Sequence, residues 1–197
     1  VRSGVPRAKM ARCITSIGDL DVDGKKHDFF NSLFIQKMMA DHSFKRAVFP
    51  GSFDPMTLGH LNILQRSISL FDEIIVAVGV NGAKAPMFPL EKRIEWLRAV
   101  CKPFPSVRVE AFEGLTSSFC IEQDAGFLLR GVRNGGDFEY ERTIAQMTKV
   151  LEPNLETIIL FTDPEFAHIH SNVVREIVRN HGDASAFLPL EIDWGLV

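Results

Sequence analysis

The sequence predicts an α/β protein built on an open, five-stranded parallel sheet with helices on both faces. Three observations point there. From residue 45 onward, short apolar or β-branched runs alternate with stretches of helical periodicity. Several of those runs are almost wholly apolar, as strands covered on both faces are. The strand-then-helix alternation recurs five times, which a parallel sheet with crossover helices satisfies.

The strands are expected at "RAVF" (46–49), "EIIVAVG" (73–79), "VRVEAF" (107–112), "FLLR" (127–130) and "TIILF" (157–161). Between the first two, Leu61, Leu64, Ile68 and Phe71 recur at helical spacing; Ile94, Leu97 and Val100 repeat the pattern after the second. Further helices are expected at about 115–125, 137–151, 172–181 and 185–194. The chain shows no internal repeat and no low-complexity tract.

Residues 1–44 do not share this pattern and read as an N-terminal extension, disordered or non-native. Only "FFNSLFIQKMM" within it has the look of a short amphipathic helix, and the tandem Met38-Met39 reads as the native start. No apolar core with a small-residue cleavage site marks a signal peptide. No run approaches the roughly 20 apolar residues that span a bilayer. A net charge of −3 over 197 residues argues against nucleic-acid binding by bulk electrostatics. Cys13, Cys101 and Cys120 are too few for a disulfide framework and read as idle thiols of a reducing, cytoplasmic compartment.

In open parallel sheets, ligands bind at the carboxyl ends of the strands, so the residues following each strand carry the functional signal. After the first comes "PGSFDPMTLGH", in which Gly51 admits close backbone approach and Ser52 offers a hydroxyl. Asp54-Pro55 makes a turn, Thr57 caps a helix, and His60 adds a donor beside the free amides of that helix start. After the second lies Lys84 in a Gly/Pro-bounded loop, either reaching over a ligand or simply solvated. After the third, Thr116 to Ser118 stand where a helix begins. After the fourth, "RGVRNGGDFEYE" sets Arg130 and Arg133 either to bind phosphate oxygens or to neutralise Asp137, Glu139 and Glu141. After the fifth, "HIHSN" offers caps and open amides. His168 and His170 alone, without a carboxylate or cysteine trio, make a poor metal site.

Taken together, "PGSFDPMTLGH", "KAPMF", "LLRGVRNGGDFEYE" and "HIHSNVVREI", in this order, resemble the bacterial phosphopantetheine adenylyltransferases. "TLGH" is similar to the signature of the wider nucleotidyltransferase superfamily. The resemblance covers about residues 45–190, and with it residues 45–197 are expected to form an adenylyltransferase domain of Rossmann-like fold. It implies transfer of AMP from ATP to 4′-phosphopantetheine, giving 3′-dephospho-coenzyme A and pyrophosphate, in coenzyme A biosynthesis. It also implies magnesium held mainly by phosphate oxygens, and a homohexamer with neither nucleic acid nor membrane as partner.

By the same resemblance His60 stabilises the transition state. Ser52 contacts both substrates, and Lys84, Thr116 and Arg130 hold phosphopantetheine. Phe53, His60, Gly131, Val132, Arg133 and Glu141, with Phe166, Ala167, His168, Ile169, His170, Ser171 and Asn172, form the ATP pocket. Two positions depart from the family pattern: His170 and Asn172 stand where hydroxyl residues are usual. Both keep hydrogen-bonding capacity, and the histidine adds bulk and a titratable group.

Overall fold

The computed structural model describes residues 44–80 and 85–194. Five strands form one sheet: β1 (Arg46–Gly51), β2 (Glu73–Val80), β3 (Val107–Glu113), β4 (Phe127–Val132) and β5 (Glu156–Phe161). The helices between and after them are α1 (Leu58–Ser67), α2 (Leu90–Cys101), α3 (Thr116–Glu122), α4 (Gly135–Leu151) and α5 (Ser171–Arg179). All pairings are parallel, in the order β3-β2-β1-β4-β5.

That order follows from handedness. Right-handed crossovers through α1 and α2 carry the chain outward from β1 on one face of the sheet. Crossing back through α3 to β4, on the other side of β1, requires the opposite face. The cores agree with this reading. Phe49, Ile74, Val76, Val78 and Leu129 pack with α1, α2 and α5, whereas Val48, Ile75, Ala77 and Leu128 pack with Phe119 and Cys120 of α3. The run Ile74 to Val78 is wholly buried, as a central strand covered on both faces must be.

The expected helix over 185–194 does not form. A 3₁₀ turn, Ser185–Phe187, is followed by extended backbone at Leu188 (φ −119°, ψ 147°). Pro189 explains it, because its ring disfavours helical geometry in the residue before it. Leu188 and Ile192 nevertheless reach the core. The expectations for residues 1–43 and the position of Lys84 lie outside the described residues.

The register prepares the site. β1 pairs with β2 from Arg46↔Glu73 to Gly51↔Val78, yet with β4 only at Ala47↔Phe127 and Val48↔Leu128. β4 meanwhile stays paired with β5 up to Val132↔Phe161. The two central strands therefore part at their carboxyl ends, where the strand order reverses and a ligand crevice is expected. Pro50 has a part in this. Its carbonyl faces Arg130 of β4, 3.4 Å from Nη1. The ladder donor that proline lacks would point the same way.

Candidate active site

A cavity of about 430 Å³ opens at this crevice. Its wall includes the starts of three helices: Thr57, Gly59 and His60 for α1, Gly136 and Asp137 for α4, and His170, Ser171 and Asn172 for α5. Each start presents unpaired N–H groups and the positive end of a helix dipole. Three converging on one cavity suit a polyanion.

Local chemistry fixes each start. Thr57 is extended (φ −108°) and heads α1, closing a capping box with His60. Its backbone N–H donates to His60 Nδ1 at 3.0 Å. Since an amide can only donate, Nδ1 accepts, and the neutral ring carries its proton on Nε2. Burial, and then the Arg133 charge, push this imidazole down to about 4, so it is neutral at physiological pH. The ring rests edge-on against Phe53, centroids 5.4 Å apart. Asn134 caps α4 by accepting from the Asp137 amide at 3.0 Å.

Arg130 of β4 and Arg133 just after it line the cavity already paired. Arg130 donates twice to Glu141, at 2.6 Å each, through Nε and Nη2. Arg133 donates to Asp137 from its backbone amide, Nε and Nη2, and its Nη1 reaches the Ile169 carbonyl at 3.3 Å. Hydrogen bonds from Arg133 hold the Asp137 carboxyl below the usual range. Of the two alternatives read from the sequence, neutralisation is seen for Asp137 and Glu141, while Glu139 pairs with Arg142 instead; the arginines also line the cavity.

Of the residues proposed from sequence, His60, Arg130, Gly131, Arg133, Glu141, Ile169, His170, Ser171 and Asn172 line this cavity. Others lie elsewhere. Phe53 is buried beneath His60, and Val132 is fully buried in the sheet. Ser52 is exposed on the β1–α1 turn, Thr116 opens α3, and Phe166, Ala167 and His168 follow β5 around a 3₁₀ turn without lining the wall. His168 meets Phe187 edge-on. Gly131 is placed by packing: a Cβ there would lie 2.8 Å from Ile63 Cγ1 of α1.

Several structural residues escaped the sequence reading. Asp54 is buried, and its carboxylate accepts from the Met87 and Phe88 amides at 2.8 and 2.9 Å. Buried Arg93 donates to the carbonyls of Phe88 (3.1 Å) and Ser52 (2.6 Å). Together they tie the β1–α1 turn to the chain entering α2, three residues beyond Lys84. Asn62 and Arg66 of α1 likewise hold Asp163 after β5, at 2.7 and 2.9 Å. Tyr140 and Thr162 also line the cavity. The first sits one turn after Asp137 and the second directly after β5, positions that a scan of strand ends can flag. The long-range pairs leave no local signal. Among the described residues no three potential metal ligands gather.

A parallel sheet with three helix starts, a part-buried neutral histidine and two paired arginines at its switch point is an arrangement suited to nucleotidyl transfer. The comparisons agree: a cytidylyltransferase-like family model matches residues 48–177. A solved structure, a putative nicotinate-nucleotide adenylyltransferase from Vibrio parahaemolyticus, shares the fold, with TM-score 0.59, 18% identity, and coverage of 77% of this chain and 91% of that one. More specific are relatives named phosphopantetheine adenylyltransferase. That of Flavobacterium psychrophilum is 49% identical over 145 residues, 74% of this chain and 95% of its own. That of Christiangramia forsetii is 47% identical over the same shares, and that of Bacteroides fragilis 43%, over 74% and 96%. The chain belongs to the phosphopantetheine adenylyltransferase family, enzymes of coenzyme A synthesis.

Proposed function

We propose that the described cavity binds ATP beside 4′-phosphopantetheine and that the enzyme moves AMP between them. An oxygen of the acceptor phosphate attacks the α-phosphorus of ATP. The bond from that phosphorus to the bridging oxygen breaks, pyrophosphate leaves, and 3′-dephospho-coenzyme A remains. The observation that carries this reading is the convergence of three helix starts and two arginines on one crevice.

The nucleophile is already anionic, so no general base is needed. The barrier lies in bringing a dianion in line with a triphosphate. Lys84, Thr116 and Arg130 hold the acceptor, and Ser52 meets the phosphates of both reactants. His60, donating through Nε2, stabilises charge growing on the nucleotide phosphate, as do the amides of the three helix starts. A neutral donor suits this role because it keeps its proton while charge builds. Phe53, Gly131, Val132, Arg133, Glu141 and the run Phe166, Ala167, His168, Ile169, His170, Ser171, Asn172 shape the nucleotide pocket, some by contact and some from beneath.

Nucleotidyl transfer from ATP generally uses a divalent metal, and magnesium is our assignment. Asp137 and Glu141 are engaged with arginines, so the metal fits as a triphosphate-borne ion rather than one in a side-chain cage. When bound it neutralises phosphate charge. The proposal extends to a cytoplasmic homohexamer with neither nucleic acid nor membrane as partner. The exposed apolar row Tyr140, Met147, Val150 and Leu151 on α4 supports self-association. No helix among the described residues is long and apolar enough to cross a membrane.

Incubation with ATP, magnesium and a panel of phosphorylated acceptors, with product mass and pyrophosphate as readouts, tests the reaction. Dephospho-coenzyme A is expected from 4′-phosphopantetheine alone. Turnover only with nicotinate mononucleotide or glycerol phosphate, or ATP binding without turnover of any acceptor, would overturn it.

A further inference from the structure

The α5 wall of the cavity is held by a brace to which the motifs assign no role. Arg175, half-buried on α5, donates from Nη1 to the Asp54 carbonyl at 2.9 Å, in the turn between β1 and α1. Its Nη2 donates to the side chain of Asn172, one turn earlier on the helix. A guanidinium has donors only, so the atom facing it is the amide oxygen Oδ1, and the Asn172 acceptor is thereby engaged.

The far end of the brace is itself rigid. Asp54 is buried, its carboxylate fixed by the Met87 and Phe88 amides. Arg93 ties the neighbouring Ser52 carbonyl to the same stretch. Arg175 thus sets the distance between the first turn of α5, where Ser171 lines the cavity, and a turn that cannot yield. Without it α5 keeps its packing through Val174 and Ile177 but loses this polar tie to the β1–α1 turn.

We propose that Arg175 and Asn172 are positioning residues for the nucleotide: Asn172 orients the Arg175 fork, and Arg175 spaces the α5 start against Asp54. Asn172 thus acts through Arg175 rather than by touching the phosphates. This inference rests on the proposed reading that the α5 start faces the triphosphate.

The test is a double-mutant cycle on the full chain, read by ATP affinity in calorimetry and by KM for each substrate. Arg175→Gln is expected to weaken ATP binding about tenfold, the scale of one charge-assisted hydrogen bond, while KM for 4′-phosphopantetheine stays within about twofold. Asn172→Ala is expected to weaken ATP binding about threefold alone and not at all in the Arg175→Gln background. Arg175→Lys, which can reach Asp54 but cannot bridge to Asn172 as well, falls between; it replaces Arg175→Gln in the cycle should that variant not fold. An Asn172→Ala loss that persists undiminished without the guanidinium means direct contact and overturns the proposal. So does an equal rise in both KM values that tracks a fall in Tm. Wild-type protein that binds ATP but does not turn over 4′-phosphopantetheine sinks the proposed reaction while the affinity cycle still reads the brace. Wild-type protein that does not bind ATP overturns both.

Discussion

Replacing His60 with glutamine separates the two tasks the structure gives this side chain. One is structural: Nδ1 accepts the Thr57 amide at the start of α1. The other is chemical, through the proton on Nε2. A glutamine at the third position of a helix still closes a capping box, but it does not titrate. Burial and the Arg133 charge lower the His60 pKa from 6.5 to about 4. The unfolded chain then takes up the proton more readily than the folded one. His60's share of stability is therefore whole above about pH 6.5 and drains away as pH falls toward 4. Between about pH 7.5 and 5 the linkage relation puts that loss at about 2 kcal/mol. Asp137 and Glu73, whose carboxyls lie below their ordinary range, lose stability at lower pH and do so in both proteins, so they cancel in the comparison. Urea unfolding across this pH range should show the wild type losing about 2 kcal/mol more than His60→Gln. Turnover of the variant should fall about 100- to 1,000-fold at every pH. Parallel stability curves would refute the neutral imidazole, and near-wild-type turnover would remove His60 from the chemistry.

Gly131→Ala places a Cβ 2.8 Å from Ile63 Cγ1, and should destabilise by about 1–3 kcal/mol in thermal melts as α1 is pushed off β4. Asp54→Asn leaves the Met87 or the Phe88 amide facing an NH₂ group; a loss of about 2 kcal/mol in denaturant unfolding is expected, with KM for the acceptor raised more than KM for ATP. Arg130→Lys cannot reproduce the two-point pairing with Glu141 and should raise acceptor KM at least about tenfold, because a single ammonium fits neither the carboxylate nor a phosphate as a fork does.

The sheet was legible because its strands announce themselves twice, by apolar content and by turn residues at their ends. Ile74 to Val78 is buried on both faces, and no other element explains five apolar residues in a row. The failed helix at 185–194 shows the converse. Its apolar spacing was helical, but Leu188 and Ile192 are buried from an irregular segment, and Pro189 was the signal that should have outweighed the period. In α1 the apolar stripe was only half the buried face. Asn62 and Ser67 are buried beside Ile63 and Leu64 because their polar groups find Asp163 and the Ile63 carbonyl. Periodicity sees hydrophobicity, so a satisfied polar residue is invisible to it. At the site, cavity residues directly after strands were readable, whereas Asp54 with Met87 and Arg93 with Ser52 depend on which turns the fold brings together.

The pairing of both cavity arginines bears on how the site attracts anions. Arg130 with Glu141 and Arg133 with Asp137 are each neutral as pairs, so side-chain charge from these four groups sums to nothing. Among the described residues, what these pairs leave is directional: amides at three helix starts, the Nε2 proton of His60, and the N–H groups of each fork that its carboxylate leaves over. Such an arrangement avoids the penalty of holding unpaired cations in a half-buried crevice. It also fixes the planes of both guanidinium groups before any ligand arrives, so less side-chain entropy is lost on binding. Removing a carboxylate should then have opposite effects on affinity and rate. Glu141→Gln frees charge on Arg130 and should tighten the bound acceptor phosphate at low salt. It should also slow transfer, since the fork is no longer aimed. A variant that gains both affinity and rate would mean that bare charge, rather than aimed donors, carries the catalysis.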